Sequence, residues 1–341
     1  MRLFWQPAVL QRPFRNRLVE SYFLKLNEPA GRWALWLKYT FLRTVTARER
    51  GHCGRGVNPD VRPPTGAAQG HCWAIFFDRE NGPSVSGTRT EFRPWQWDVD
   101  SEAGVVLLGD NRLAPGACTG SLEDGRFAWD LRFSQGANAI SPVPGVTLSS
   151  RSPTYKLTTP YPQSDASGTV TVGDHTYTFA GFPLSVGHNW GYRHTPGYAW
   201  AQACSLDPQV PFYFEGFSLP VSTRYITMGA MRWKGQTVRF TNPLYVPRAR
   251  TTVEPHRWDF RVSDKQWTLD GQFQLPAGLV AALPYAQPTG EVLSCTNSML
   301  ADASFDLHDR ASGDTHHIEV PGTAALEFLV PTHDHGHPVI D

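Results

Sequence analysis

Residues 20–42 read ESYFLKLNEPAGRWALWLKYTFL. The stretch breaks at Asn27-Glu28-Pro29-Ala30-Gly31, a cluster of turn-forming residues. Residues 21–27 before it read as a strand, and 32–43 after it as the returning strand. In the second, Trp33, Leu35, Leu37, Tyr39 and Phe41 recur at period two on one face. The other face, with Ala34, Trp36, Lys38, Thr40 and Leu42, is mixed. A long strand with one aromatic face suits the wall of an antiparallel barrel.

The pattern continues outward. Residues 71–78 read as a strand ending at the Asn81-Gly82 turn, and 126–133 alternate Phe127, Trp129, Leu131 and Phe133 with Arg126, Ala128, Asp130 and Arg132. Residues 169–172 and 176–179 form a hairpin about Gly173-Asp174. Residues 198–206 pair with 212–219, and 224–234 return. Residues 256–262 with 266–275, and 305–308 with 316–320, complete the set. Helix signal is confined to 276–283, one or two turns bounded by prolines. The 30 glycines and 28 prolines punctuate the whole chain. No repeat of 20–50 residues is present, which disfavours a propeller. With 341 residues, more than one ordinary domain of ~150, the chain reads as all-β, two antiparallel barrels or sandwiches in tandem.

Composition excludes several classes. Charged residues make up 18% against a usual ~25%, and aromatics 12% with 12 Trp, so the chain is neither disordered nor a coiled coil. A formal net charge of zero gives no reason to expect nucleic acid. No apolar run reaches the ~18 residues of a membrane span, and the N-terminus, with Pro7 and Pro13, makes a poor signal peptide. The five cysteines are odd in number and scattered, which suits reduced thiols in a cytoplasmic protein. The first 55 residues carry 11 basic residues, nine Arg with Lys25 and Lys38, against three acids, Glu20, Glu28 and Glu49. That bias suits either a solvated surface or peripheral contact with an anionic membrane.

Chemistry concentrates in residues 181–219, GFPLSVGHNWGYRHTPGYAWAQACSLDPQVPFYFEGFSL. His188 and Trp190 are two apart, so they share a face of an extended chain. Tyr213 and Glu215 do the same in the next hairpin. Were both pairs to face one cavity, it would hold an imidazole, an indole, a phenol and a carboxyl group in apolar surroundings. Desolvation keeps such a carboxylic acid protonated near neutral pH, ready to donate a proton to a double bond. Aromatic faces stabilise the resulting cation, and imidazole can orient water or take up a proton. The same residue types also build an aromatic barrel core with a hydrogen-bonded histidine. His333, His335 and His337, with His316-His317, suit either a metal site or a solvated tail. The pairs His52-Cys53 and His71-Cys72 lack further zinc spacing. No nucleotide, flavin or serine-hydrolase motif is present, so no cofactor is expected.

The motif GHNWG at 187–191, followed by Tyr198-Ala199-Trp200, resembles that of the carotenoid 1,2-hydratase (hydroxyneurosporene synthase) and AttH-like group. The 20–42 stretch also resembles the opening hairpin of relatives of that group. The resemblance is strongest over 18–45 and 170–220. It implies two lipocalin-like barrels side by side, an architecture similar to that of tocopherol cyclases and several fungal Diels–Alder cyclases. It places the first barrel at 1–194 and the second at 195–341. It puts the catalytic His at His188, the Trp at Trp190, and the later Tyr-x-Asp on Tyr213-Phe214-Glu215, with Glu in place of Asp. Gly187 stands where many relatives carry Asp.

The expected function is a cofactor-independent enzyme on a hydrophobic terpenoid, polyene or polyketide, working by acid-initiated hydration or cyclisation. Glu215 is the expected proton donor and His188 the residue that orients water. Trp190 and Tyr213 face the cation, and Trp200, Tyr198, Tyr192 and Phe217 shape the substrate cavity. Two alternatives stand beside it: a pericyclase that works by positioning, and a barrel that binds a lipid or pigment without chemistry.

Overall fold

The computed structural model describes residues 19–44, 68–100, 103–134, 138–148, 155–330 and 336–341. Residues 1–18, which carry part of the basic N-terminal region, and His52-Cys53, His333 and His335 lie outside the described residues. The structure is nearly all strand. The first sheet contains β1 (Val19–Asn27), β2 (Trp33–Arg43), β3 (Ala68–Asp78), β4 (Ser84–Phe92), β5 (Trp97–Asp100), β6 (Val105–Leu108), β7 (Asn111–Ala114), β8 (Ala117–Leu122), β9 (Phe127–Phe133), β10 (Tyr155–Val172) and β11 (His175–Gly191). The second contains β12 (Tyr198–Cys204), β13 (Phe212–Val221), β14 (Arg224–Trp233), β15 (Gln236–Phe240), β16 (Arg250–Glu254), β17 (Arg257–Ser263), β18 (Trp267–Gln274), β19 (Ala281–Ala286), β20 (Val292–Asp309) and β21 (Thr315–Val330).

Both sheets are joined in the same way. The last hairpin of each returns to its first strand: β11 pairs with β1, and β21 pairs with β12. The first sheet becomes a nearly closed barrel of eleven strands in the order β4-β3-β2-β1-β11-β10-β9-β8-β7-β6-β5. The chain passes between sheets over 192–197. No helix among the described residues is long and apolar enough to cross a membrane.

The opening hairpin explains how the barrels join. Trp33, Leu35, Leu37, Tyr39 and Phe41 fill the first barrel's core. The mixed face does not meet water. Ala34 and Trp36 pack, with Phe23, Trp73 and Phe77, against Trp200, Leu283, Met299 and Leu329 of the second barrel. Polar groups cross the same joint. Asn27 Nδ2 donates to Met299 O at 2.8 Å and Arg79 Nη2 to Leu300 O at 2.9 Å. These carbonyls lie where the β20–β21 register slips between Ser298 and Ala303, and such a bulge frees backbone acceptors for outside donors.

Proline shapes the matching slip in the first barrel. Pro160 and Pro162 cannot donate to the ladder, and the β10–β11 register shifts between Thr158 and Ser164. Thr159 then bonds Ile140 through its backbone in both directions, at 2.8 and 3.1 Å.

One sequence expectation is corrected. Residues 276–283 form no helix: a turn at 277–278 leads into strand β19, which pairs with β20 through Leu283 and Cys295. The apolar run is a strand because Leu279, Ala281, Leu283 and Tyr285 are all drawn into the joint between the barrels. The hairpins read at 169–179 and 305–320 are the outer ends of much longer ones, β10–β11 and β20–β21.

Gly187 has a specific spatial role. It lies opposite Phe23 in the β1–β11 ladder, and a Cβ there would fall inside the Phe23 ring. An Asp at this position would have to displace Phe23 from the joint. Gly187→Ala is expected to destabilise the protein by ~1–3 kcal/mol through overpacking. In urea unfolding, the Gly187→Ala/Phe23→Ala double variant should cost less than the sum of the two singles. Strict additivity, or an unaltered midpoint for the single variant, would refute the steric account.

Candidate functional site

Between the barrels lies a cavity of about 180 Å³. Its apolar wall includes Phe23 and Trp36 from the first barrel and Trp200, Phe217, Leu219 and Met228 from the second. Its polar residues are Lys38, Tyr155, Lys156, Asn189, Thr195, Tyr198 and Glu327. The alternation of β2 accounts for Lys38: it falls on the same face as Trp36, opposite the core-filling Leu37 and Tyr39. Asn189 Oδ1 and Thr195 Oγ1 have no hydrogen-bond partner among the described residues. Polar atoms so placed are those that meet a ligand or solvent atom.

Glu327 is the acid in this wall. Asn297 Nδ2 donates to its Oε1 at 2.5 Å, and the Tyr198 hydroxyl donates to its Oε2 at 3.1 Å. Cys295 Sγ approaches the same Oε2 at 3.8 Å. Burial pushes the Glu327 carboxyl above the usual carboxylate range, with Lys38 and the hydrogen bonds opposing. Burial lowers Lys38 to about 8, opposed by the Glu327 charge. Lys38 Nζ lies 3.6 Å from the centroid of the Tyr285 ring and 5.4 Å from that of Trp36. His194, packed between the tilted rings of Tyr155 and Tyr285, is lowered to about 3 by burial and then by Lys38.

Glu215 sits one layer behind. It is fully buried and accepts from Thr159 Oγ1 at 2.7 Å and from Trp200 Nε1 at 3.3 Å. The proline-driven slip of β10 is what brings Thr159 to it. Burial raises Glu215 to about 7, against the pull of those hydrogen bonds. Tyr213 lies on the same face of β13, and its hydroxyl accepts from Gln202 Nε2 at 2.8 Å. Gln202 Oε1 in turn accepts from Ser185 of the first barrel at 2.6 Å.

His188 and Trp190 are placed elsewhere. Along β11 they share a face with Leu184 and Val186, which belong to the first barrel's core, while Asn189 between them lines the cavity. His188 Nε2 lies 2.7 Å from Glu20 Oε1, which also accepts from Tyr22 OH at 2.8 Å. The imidazole is stacked between Tyr22, at 4.3 Å, and Trp190, at 4.5 Å. The two pairs expected to share one cavity therefore lie on opposite sides of the first barrel's wall. The reason is parity: β11 turns its odd-numbered residues here toward the second barrel and its even-numbered ones inward.

Of the expected substrate-binding residues, Trp200, Tyr198 and Phe217 line the cavity. Tyr192 lies half-buried in the segment between the sheets and is not part of its wall. Sequence reasoning passed over Lys38, Asn189 and Glu327, and the Glu20 partner of His188. A signal was present: Lys38 in WALWLKYTFL and Glu327 in GTAALEFLV are single charges in otherwise uncharged stretches.

The His and Cys candidates separate as well. His71 faces Glu91 at 3.9 Å while Cys72 enters the first core. His317 bridges Asp306 and Glu319, whereas His316 stacks on Trp233. Cys72, Cys118, Cys204 and Cys295 are free thiols.

No family model and no curated protein matches the sequence. Solved structures do. A protein assigned as AttH from Nitrosomonas europaea superposes at TM-score 0.53 and 12% identity, over 92% of this chain and 92% of that one. Kievitone hydratase from Nectria haematococca superposes at TM-score 0.52 and 9% identity, over 92% of this chain and 89% of that one. At these identities the likeness establishes the architecture: the chain carries the AttH-like, lipocalin-like fold that the GHNWG motif implied.

Proposed function

We propose that this protein is a cofactor-independent acid–base enzyme that adds water to, or cyclises, an unsaturated hydrophobic small molecule held between its barrels. The observation that carries the reading is a mostly apolar cavity with a buried carboxyl group, Glu327, in its wall. Burial favours the neutral acid, which can protonate a carbon–carbon double bond. The Trp36 and Trp200 rings bound the space where positive charge would develop. Water, or a second double bond of the substrate, then attacks that carbon, and the released proton restores the acid. The architecture shared with an enzyme named as a hydratase agrees with this reading.

In this arrangement the donor role expected of Glu215 passes to Glu327, because Glu215 meets the cavity only through the Trp200 indole. Glu215 is a positioning residue that fixes Trp200. The substrate belongs among terpenoids, polyenes and polyketides that fit the apolar wall.

The reading is tested by mass analysis of products from such a panel. Glu327→Gln should lower turnover by at least ~100-fold, with binding by tryptophan fluorescence nearly unchanged. A product heavier by one water identifies hydration, and an isomer identifies cyclisation. Full turnover by Glu327→Gln, with loss in Glu215→Gln, would return the donor role to Glu215.

Glu215 also predicts a pH effect on stability. Its folded value of about 7 exceeds the 4.5 of an unperturbed Glu, so between these values the folded state binds more protons than the unfolded one. Its contribution is therefore greatest below ~4.5 and is lost as pH rises to about 7. Chemical denaturation should show wild type losing stability relative to Glu215→Gln across that window. A difference independent of pH would show that Glu215 is ionised throughout.

A further inference from the structure

The chain is sparing with lysine. Lys25, Lys38, Lys156, Lys234 and Lys265 are its only five, so 26 of its 31 cationic side chains are arginine. Two buried lysines, Lys38 and Lys156, line the cavity; Lys38, 4% exposed, is the one set beside the Tyr285 ring and under the Glu327 charge. No ion pair or hydrogen bond holds its Nζ among the described residues; it lies 3.6 Å from the centroid of the Tyr285 ring. Arginine could supply charge here, but only lysine can present a neutral nucleophilic amine. An apolar pocket favours that neutral form.

We propose that Lys38 is a covalent catalytic residue and that the cavity's substrate is a conjugated aldehyde or ketone, captured as an imine on Nζ. This keeps the cavity and the acid of the proposed function, replaces its opening protonation of the double bond by capture of a carbonyl, and rests on the cavity being the substrate site. The amine adds to the carbonyl carbon, forming a C–N bond, and the carbonyl π pair moves to oxygen, which takes the proton of Glu327. A second proton transfer expels that oxygen as water and leaves a protonated imine conjugated with the double bond. Conjugation makes the distal carbon electrophilic, so water adds there and gives its proton to the Glu327 carboxylate. Glu327 then returns that proton to the central carbon of the resulting enamine, which regenerates the protonated imine. Hydrolysis of the imine returns Lys38 and releases the hydroxy-carbonyl product. Substrate plus water equals product, and no oxidant or reductant is needed.

Surrounding groups fit this cycle. Tyr198 donates to Glu327 and holds it beside the cavity. The charged and titratable groups that face Lys38 include Glu327, Cys295, His194 and His71, with Tyr285 beneath it. The lysine is lowered to about 8, so a large share of it is neutral at pH 8, whereas an exposed lysine near ~10.4 is less than ~1% neutral.

The test uses the full chain with trans-cinnamaldehyde and sodium cyanoborohydride at pH 8, read by peptide mapping. One reduced adduct per chain is expected on the Lys38 peptide. It should form at least ~10-fold faster than adducts on the exposed Lys234 and Lys265. Lys38→Arg should lose the fast adduct while still binding trans-stilbene, a hydrocarbon of similar shape, as followed by tryptophan fluorescence. Labelling of Lys38 no faster than Lys234 and Lys265 overturns the proposal. If stilbene still binds wild type in that case, the cavity reading stands and only the covalent role falls. If stilbene also fails to bind, both fall.

Discussion

Two-sided burial of the shared wall is the constraint on which the rest of the structure depends. Every residue of β1 is buried, and every residue of β2 except Arg43. Across the joint, residues 294–301 of β20 and 322–329 of β21 are buried on both faces as well. The backbone of such a wall is satisfied by its own ladder, but each side chain must find a partner on whichever side it faces. Lys38 and Glu327 obey this rule by meeting in a cavity, and Asn27 and Arg79 by reaching carbonyls released by a bulge. The site is thus a by-product of how two sheets, each already amphipathic, are pressed together.

This constraint also decides what the sequence discloses. The outer ends of the long hairpins have one dry face and one wet face, so 169–172 with 176–179, and 305–308 with 316–320, show clean alternation and are legible. The inner halves have two dry faces, and the period-two signal fades there. Residues 155–168, which hold Pro160 and Pro162, carry no strand signal, although β10 continues through them with a slipped register. The mixed face of β2 reads as a solvent face for the same reason: its Lys38 looks like surface until a second barrel covers it.

The candidate residues were legible by type more than by place. The spacing of two in His188/Trp190 and Tyr213/Glu215 does put each pair on one face of its strand. Which face depends on ladder register with a strand far away in sequence, and spacing does not encode that. His188 consequently belongs to a stacked Glu20–Tyr22–Trp190 group inside the first barrel, while Asn189, its neighbour in the same motif, reaches the cavity. Glu215 is linked to the cavity by the Trp200 indole, so a group on the far side of a ring can set that ring's orientation without touching a ligand.

The closure of the first barrel has a consequence during synthesis. β1 pairs with β2 at once, but its second ladder partner exists only when β11 does, since Val19 pairs with Gly191. Such long-range pairing is slow to form. Even then, Trp36, Trp73 and Phe77 lack the cover that Met299, Leu300 and Leu329 provide near the end of the chain. At about 5–20 residues per second, a ribosome needs roughly 7–28 seconds after β11 to supply those residues. Throughout that interval the nascent chain presents a tryptophan-rich apolar patch, the kind of surface that chaperones bind and that aggregates nucleate on. The face that later bounds the cavity is therefore also the face that most needs protection at birth.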